Sequence, residues 1–267
     1  MIGFNTESNT SLLQQVQNKQ ESILEKLSSG KRINSAADGA AAQQIIDRLT
    51  TQVEGNRQSI SNAYDGVSLV QVAEGGLTDI NQDVNRIREL SVQSGNGLLS
   101  DSERRAIQSE VTQLQENISQ TIEQTEFAGK SLLLNDGNID FQVGANAGQK
   151  IAVATQDVAA GLSDILNVDL STAQGAEDAL AIADTANEFV SSARSGLGVT
   201  QNQFESAARN LTQTDINVSS ARSRIQDTDF AQVASENVAA GILSQTSLAV
   251  QGMANQQQGQ VLSLLNG

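Results

Sequence analysis

Apolar residues near the start of the chain recur at alternating intervals of three and four residues. The positions that carry this stripe are Leu13, Val16, Ile23 and Leu27. Gln20 occupies the one polar position within the same spacing. Such spacing is typical of a helix that buries one side against a second helix, here with one polar layer. The helix is predicted to end at Ser28-Ser29-Gly30, before a break at residues 34–39.

A second apolar stripe is much longer and runs from Ile46 to Leu90, with a slip of phase near Ala73. At about 1.5 Å per residue, a helix of this length would be on the order of 70 Å long. A third helix is predicted to begin at Ser100-Asp101-Ser102-Glu103. This is the pattern of a capping box, in which the Ser and the Glu each satisfy a free N–H at the helix start.

The most regular periodicity lies in the last third of the chain, where large apolar residues follow one another at intervals of seven. They are Val190, Leu197, Phe204, Leu211, Val218 and Ile225. A strict seven-residue repeat sustained over this length predicts a left-handed supercoil. The alternative is an ordinary amphipathic helix in a bundle. Both interpretations place these residues in a seam between helices of a core domain.

The final 38 residues, 230–267, contain a single charged side chain, Glu236. Because exposed helices ordinarily carry a charged face, a helical segment without one is expected to be buried between subunits. A helix lying on a membrane would need Lys and Arg on its polar face, and this segment has neither. The two ends together predict a polymerisation seam made of Leu13, Val16, Ile23, Leu27, Val233, Ile242, Leu243, Val250, Leu262 and Leu265.

Helical periodicity stops in the middle of the chain. Residues 139–143 alternate between apolar and polar, and a Gly-containing turn and a short apolar run follow, which predicts a β-hairpin near 139–153. We therefore expect a mainly α fold, a long antiparallel helical bundle or coiled coil with a small mid-chain β-hairpin region. Paired terminal helices are expected over 1–42 and 229–267, and a helical core domain over 43–228.

Several residue types are absent from the sequence, and their absence limits the classes of function that the chain can have. The chain of 267 residues has no Pro, Cys, His or Trp. The absence of Pro favours long uninterrupted helices, because Pro breaks helix interiors. Without His or Cys the chain has no Ser–His pair, no thiolate nucleophile and no zinc site. Carboxylate pairs and Ser–Lys arrangements remain possible, but no spacing in the sequence singles one out, so we expect neither an enzyme nor a metal or cofactor site.

The charge and hydropathy of the chain limit the kinds of partner that it can bind. The net charge of −15 disfavours nucleic acid and anionic membranes, whose binding depends on Lys and Arg. The first residues have neither the basic nor the apolar region of a standard secretory signal, and no run of about 20 apolar residues could span a membrane. If the protein is exported, we expect a dedicated route that does not use a signal peptide.

Several stretches resemble bacterial flagellins, and together they cover essentially the whole chain. The strongest is LSSGKRINSA at residues 27–36, which resembles the flagellin motif LSSG-x-RINSA over ten consecutive positions. The others are NRIRELSVQ at 85–93, similar to the family's Q-R-[IV]-R-E-L-[AS]-V-Q, FQVGAN at 141–146, ARSRIQDTDFA at 221–231, and ANQQ with VLSLL at 254–265. One departure is Gln258, which stands where the family usually has Pro, so a kink there is in doubt.

This resemblance implies a secreted structural subunit of the flagellar filament. The paired terminal helices would form an inner tube, and the other helices and the hairpin a surrounding layer. The implied partners are further copies of the chain, the type III export apparatus, an export chaperone on the C-terminal helix, the cap protein and the junction proteins. In some flagellins the Toll-like receptor for flagellin recognises positions that match Arg86, Leu90 and Glu110. The alternative is structural, since Leu90 also fits the second stripe and Arg86 could pair with a neighbouring subunit.

Three other functions compete with a filament subunit. A hook–filament junction protein shares the LSSG-type start and the paired terminal helices, but the RIRELSVQ stretch and the ANQQ ending favour the filament subunit. A filament-associated enzyme would need an inserted domain larger than the short mid-chain region. A cytoplasmic coiled-coil adaptor would never appear outside the cell.

A mechanism follows from the near-chargeless ends. Long isolated helices with few charge pairs are marginal in water, so we expect the ends to be largely disordered in the monomer. They would gain order only against neighbouring subunits, which couples folding to assembly.

Overall fold

The computed structural model describes the backbone of residues 4–265 and the side chains of residues 11–253, 255–257 and 259–260. The helices are α1 (Phe4–Ser29), α2 (Ala36–Ser94), α3 (Asp101–Gln124), α4 (Val158–Gly161), α5 (Ser163–Leu166), α6 (Ala173–Gln226) and α7 (Phe230–Leu265). The strands are β1 (Glu126–Phe127), β2 (Lys130–Ser131), β3 (Gly137–Gln142) and β4 (Lys150–Thr155). The predicted fold class, mainly α with a small mid-chain hairpin, is confirmed.

The three predicted helix boundaries in the first half each have a local cause. Helix α1 ends where Gly30 takes a left-handed conformation with φ of 67°. Within α2 the backbone is extended at Gly39, so the regular helix begins after it. The capping box at the start of α3 is confirmed, because Glu103 N donates to Ser100 Oγ and Ser100 N donates to Glu103 Oε2. Ser100 Oγ also donates to Glu103 Oε2 at 2.7 Å, and this hydrogen bond, together with that from Ser100 N, lowers the pKa of the Glu103 carboxyl.

The strands form two separate antiparallel pairs. Strands β1 and β2 are a minimal hairpin, and β3 pairs with β4 from Gly137 opposite Thr155 to Gln142 opposite Lys150. This second pair is the predicted hairpin near 139–153, longer than predicted by two residues at each end. An ion pair between Lys150 and Asp140, 3.2 Å apart, crosses it on the exposed side.

The chain divides into two compact units, Glu54–Asp215 and Met1–Val53 with Ile216–Gly267. In the first unit, α2 and α6 run antiparallel. Ion pairs join Arg57 to Asp215 and Arg88 to Asp184. Residue numbers therefore rise along α2 in the direction in which they fall along α6. Most of the apolar core of the chain lies in this unit, among α2, α3, α6 and the hairpin.

The seven-residue repeat of α6 differs in burial along the helix. Val190, Leu197 and Phe204 are buried, and Leu211, Val218 and Ile225 are half-buried. The ring of Phe204 meets the ring of Phe141 from the hairpin edge-to-face, with 5.3 Å between ring centres. At this position the hairpin therefore covers α6.

Candidate assembly surface

The second unit is organised around helices α1 and α7, which pack along each other. Ile23 of α1 and Val233 and Ala240 of α7 are buried together, and Leu27 packs against them. On α1 the stripe continues through Leu13 and Val16, which are half-buried. The predicted α1 stripe is thus covered by a helix of the same chain.

The side of α7 that faces α1 is mostly small and polar. Together with the buried Val233 and Ala240, the half-buried Asn237, Ser244, Ser247 and Gln251 complete a series with three- and four-residue spacing. Small side chains let two helix backbones approach closely, but they bury little apolar surface. Helix α7 therefore uses few of its large apolar residues to hold α1.

Seven other large apolar residues of α7 are exposed to solvent among the side chains that the structure describes. Their exposed fractions are Phe230 66%, Val238 63%, Ile242 57%, Leu243 55%, Leu248 54%, Val250 47% and Met253 57%. We call these seven residues the outer face of α7. Scattered exposed apolar residues are normal, but so many on one nearly uncharged helix mark an interaction surface.

The predicted polymerisation seam thus falls on two different surfaces. Leu13, Val16, Ile23, Leu27 and Val233 face the partner helix within the chain. Ile242, Leu243 and Val250 belong to the outer face of α7. Leu262 and Leu265 lie in the last turns of α7, and their side chains fall outside the described residues.

Sequence reasoning grouped these residues because it followed apolar side chains alone. The inner side of α7 carries Ser244 and Ser247, which give no apolar signal. The spacing of 233, 237, 240, 244, 247 and 251 is no signal by itself, because any positions taken at intervals of three and four along a helix share it whatever their residue types.

Two linkers hold the second unit together at the base of α1 and α7. We call residues 30–35 and 227–229, which join α1 to α2 and α6 to α7, the paired linkers. Thr228 N donates to Gly30 O at 3.1 Å, and Arg32 N donates to Gln226 O at 2.6 Å. Arg32 Nη2 also donates to Ile225 O at 2.7 Å. The LSSGKRINSA and ARSRIQDTDFA stretches therefore meet through their backbones.

The first of these linkers is also tied to α2 by a carboxylate. Asp38 Oδ2 accepts hydrogen bonds from Ser35 N at 2.9 Å, Asn34 N at 3.0 Å and Ser35 Oγ at 3.1 Å. The backbone N–H of Ser35 and then that of Asn34 are the main reasons why the pKa of Asp38 lies below its ordinary value. An ionised Asp38 thus fixes the turn through which α1 enters α2.

The receptor-type positions lie in the first unit. The Arg86 guanidinium donates to Glu110 Oε1 through Nε at 2.9 Å and Nη2 at 2.8 Å, and to Glu89 Oε2 through Nη1 at 2.9 Å. These two carboxylates, Glu110 first, raise the pKa of Arg86. Arg86 and Glu110 are therefore brought together on the surface, whereas Leu90 is buried in the core.

Among the residues that the structure describes, none of the helices combines the length and the apolarity needed to cross a membrane.

The comparisons with known proteins agree with one another. The family profile of the bacterial flagellin N-terminal helical region matches residues 4–138, and that of the bacterial flagellin C-terminal helical region matches residues 180–265. The chain is 38% identical to the flagellin of Bacillus subtilis (strain 168), over 91% of both proteins. It is 37% identical to the flagellin of Halalkalibacterium halodurans, over 93% of this chain and 92% of that protein.

A solved structure shows the same fold. The crystal structure of Bacillus cereus flagellin superposes with a TM-score of 0.53 at 22% sequence identity, covering 61% of this chain and 94% of that one. Both terminal regions and the fold between them thus lead to one conclusion. The chain belongs to the bacterial flagellin family.

Proposed function

We propose that this chain is the structural subunit that polymerises into the bacterial flagellar filament, which acts outside the cell as a helical propeller in motility. The observation that supports this most directly is the outer face of α7. Large apolar side chains are exposed there while small polar ones face α1, so the surface is suited to cover by another copy of the chain.

The magnitude of this face favours a polymer over a simple pair. Complete burial of a large apolar side chain stabilises by about 1.5–3 kcal/mol, so covering seven that are 47–66% exposed contributes roughly 1 kcal/mol each. Association costs about 4–15 kcal/mol in lost freedom of motion. One such face therefore gives a weak contact, and a stable assembly needs each subunit to touch several neighbours. Head-to-tail contacts that do not close give an open helical filament.

A double substitution on the outer face tests this proposal. We expect Ile242→Gln with Leu243→Gln to leave the monomer helical, since Gln is a good helix former and both positions are solvent-exposed. Seeded polymerisation, followed by light scattering and electron microscopy, should fall sharply. The matched control is Gln245→Ala at an exposed polar position of the same helix, which should polymerise normally. Normal filaments from the double variant would overturn the proposal.

Within that filament we propose the two-layer arrangement expected from the sequence. The terminal helices of residues 1–42 and 229–267 would form the inner layer, and residues 43–228 the surrounding one. The seam residues Leu13, Val16, Ile23, Leu27 and Val233 would keep α1 on α7, while the outer face of α7 meets neighbouring copies. The heptad residues of α6 would stabilise the subunit itself.

Several further partners belong to the same proposal. The export apparatus, an export chaperone, the cap protein and the hook–filament junction proteins are those that family membership suggests. An export chaperone would cover the outer face of α7 before assembly. For the Toll-like receptor, the exposed Arg86 and Glu110 could take part directly, whereas the buried Leu90 could act only by supporting them.

The rival within the flagellum is a hook–filament junction protein. The two relatives of nearly equal length reported above are both flagellins, which favours the filament subunit. Abundance distinguishes the two functions, because a filament subunit should dominate the protein sheared from cells. A trace amount there would favour the junction protein.

Flagellins are a family of structural proteins, and we propose that this chain has no catalytic activity. The absence of His and Cys from the sequence supports this, because it removes the usual nucleophile–base pairs. A hydrolytic activity that a single Ser or Asp substitution abolished would contradict it.

A further inference from the structure

The turn between α2 and α3 carries an Asn-Gly sequence in solvent. Asn96, Gly97 and Leu98 are all exposed there, and Leu98 is 93% exposed. The sequence contains a second Asn-Gly at residues 266–267, which lies outside the described residues. Gly after Asn is the least hindered arrangement for attack of a main-chain nitrogen on the preceding side chain, because Gly has no Cβ.

We propose that Asn96 is a site of spontaneous deamidation, whose product carboxylate pairs with the buried guanidinium of Arg104. The inference goes beyond the proposed function and does not depend on it. It rests on the exposed Asn96–Gly97 turn and on the buried cation of Arg104 beside it, which has no ion-pair partner among the residues that the structure describes.

The reaction needs only water as co-reactant. The Gly97 nitrogen attacks Asn96 Cγ and loses its proton, and the side-chain amide nitrogen leaves as ammonia, which closes a five-membered succinimide. Water then adds to either ring carbonyl and opens the ring to aspartate or isoaspartate. Each event replaces a neutral amide by a carboxylate and adds one negative charge to a chain of net charge −15.

The local hydrogen bonds favour the first step. Gly97 N–H donates no hydrogen bond among the described residues, so the attacking nitrogen is not held elsewhere. Leu98 N donates to Asn96 Oδ1 at 3.1 Å, which polarises the carbonyl that is attacked. A donor at this oxygen also stabilises the charge that develops on it during the attack.

The buried guanidinium of Arg104 lies against the same turn. The residue is 6% exposed, its Nη2 donates to Asn96 O at 3.0 Å, and its Nη1 has no hydrogen-bond partner among the described residues. A buried cation without an acceptor is costly, and a carboxylate nearby removes much of that cost. Deamidation places such a carboxylate on the residue that Arg104 already contacts.

Mass spectrometry of the full chain, aged in weakly alkaline buffer, tests the chemistry. Trypsin cleaves after Arg88 and Arg104, and the peptide between them contains Asn96 as its only Asn. We expect conversion of Asn96 to aspartate and isoaspartate to exceed that of Asn146 several-fold, because Asn146 is exposed but is followed by Ala. Equal conversion at the two positions would overturn the proposal.

A matched variant keeps the fold while hindering the attack. An added Cβ at Gly97 meets nothing within 4 Å, and its φ lies outside the left-handed region that favours glycine, so Gly97→Ala fits the turn without strain. We expect it to slow conversion of Asn96 several-fold. Unchanged conversion would show that the succinimide route is not used, which would contradict the proposal.

Hydrogen exchange of residues 95–104 tests the ion pair. The new charge-assisted hydrogen bond should hold the turn closed for longer, so Asn96→Asp should slow exchange on the order of tenfold, which corresponds to about 1.4 kcal/mol. The effect should vanish when Arg104→Gln is present as well. Equal slowing in both backgrounds would contradict the pairing. If Arg104→Gln does not fold, the guanidinium nitrogen signals of Arg104 should shift on Asn96→Asp, and unchanged signals would overturn it.

Discussion

At the scale of single residues, the hairpin is held against the helices by a close fit around one ring. Gly66 of α2 lies directly against Phe204, and a Cβ built on Gly66 would be 2.5 Å from its Cε1 atom. Phe204 is completely buried and meets Phe141 of β3 on another side. The ring therefore has little room to move away. A glycine here allows α2 and α6 to approach while the hairpin packs on both.

Gly66→Ala should destabilise the chain for this reason. Overpacking lowers the free energy of unfolding by about 1–3 kcal/mol. Replacing a Gly within a helix by Ala raises it by up to about 1 kcal/mol. We expect a net loss of roughly 1–2 kcal/mol in the free energy of unfolding, measured by denaturant titration. The matched control is Gly75→Ala in the same helix, where a Cβ meets nothing within 4 Å and a gain of about 0.5–1 kcal/mol is expected. Stabilisation by both substitutions would contradict the close fit.

At the scale of elements, the way that α1 enters α2 depends on an ionised carboxylate. The pKa of Asp38 is lowered in the folded chain by the N–H groups of Ser35 and Asn34. The stabilisation is therefore complete above the ordinary pKa of an aspartate, and it is lost as the pH falls through the lower pKa of the folded state.

We accordingly expect the amides of Asn34 and Ser35 to lose protection from hydrogen exchange in acid, once the intrinsic pH dependence of exchange has been subtracted. Exchange measured by NMR as a function of pH checks this. In Asp38→Asn the same amides should be less protected and insensitive to pH over that range. A wild-type chain with constant protection through the acid range would show that the Asp38 carboxylate does not hold the linker.

The helices that carry a long apolar period could be predicted from the sequence, and the hairpin could be predicted from its alternation. The stripe through Ile23 and Leu27 does face a helix, and the capping box at Ser100 does begin α3. These signals work because each depends on neighbours within a few residues. The strand pair β1 and β2 has only two residues in each strand, which is too short for any alternation to show.

The two sides of α7 could not be told apart in the same way. Its apolar residues are spread around the helix, so no single stripe indicates an inner side. The inner side of α7 is the one whose residues are small enough for close approach to α1. The large apolar residues on the other sides of the helix then form the outer face. Likewise the contact between Arg86 and Glu110 spans 24 positions and joins two helices, so it follows from packing rather than from local pattern.

At the scale of the whole molecule, both ends of the chain belong to one compact unit, Met1–Val53 with Ile216–Gly267. The paired linkers and the α1–α7 seam account for its internal contacts, and the outer face of α7 has no cover among the described residues. The expectation that the ends gain order only on assembly stays a prediction. Our central claim concerns only the outer face of α7, which we propose is covered by a second copy of the chain.

Thiol labelling at position 248 tests that claim most directly, since the chain contains no Cys and Leu248→Cys would place a single thiol on the outer face. The labelling rate is measured in the monomer and in seeded filaments of the same variant, with Ser102→Cys, exposed in the first turn of α3, as the check on reagent access. We predict rapid labelling at position 248 in the monomer and many-fold slower labelling in the filament. Equal rates in the two states would contradict the account.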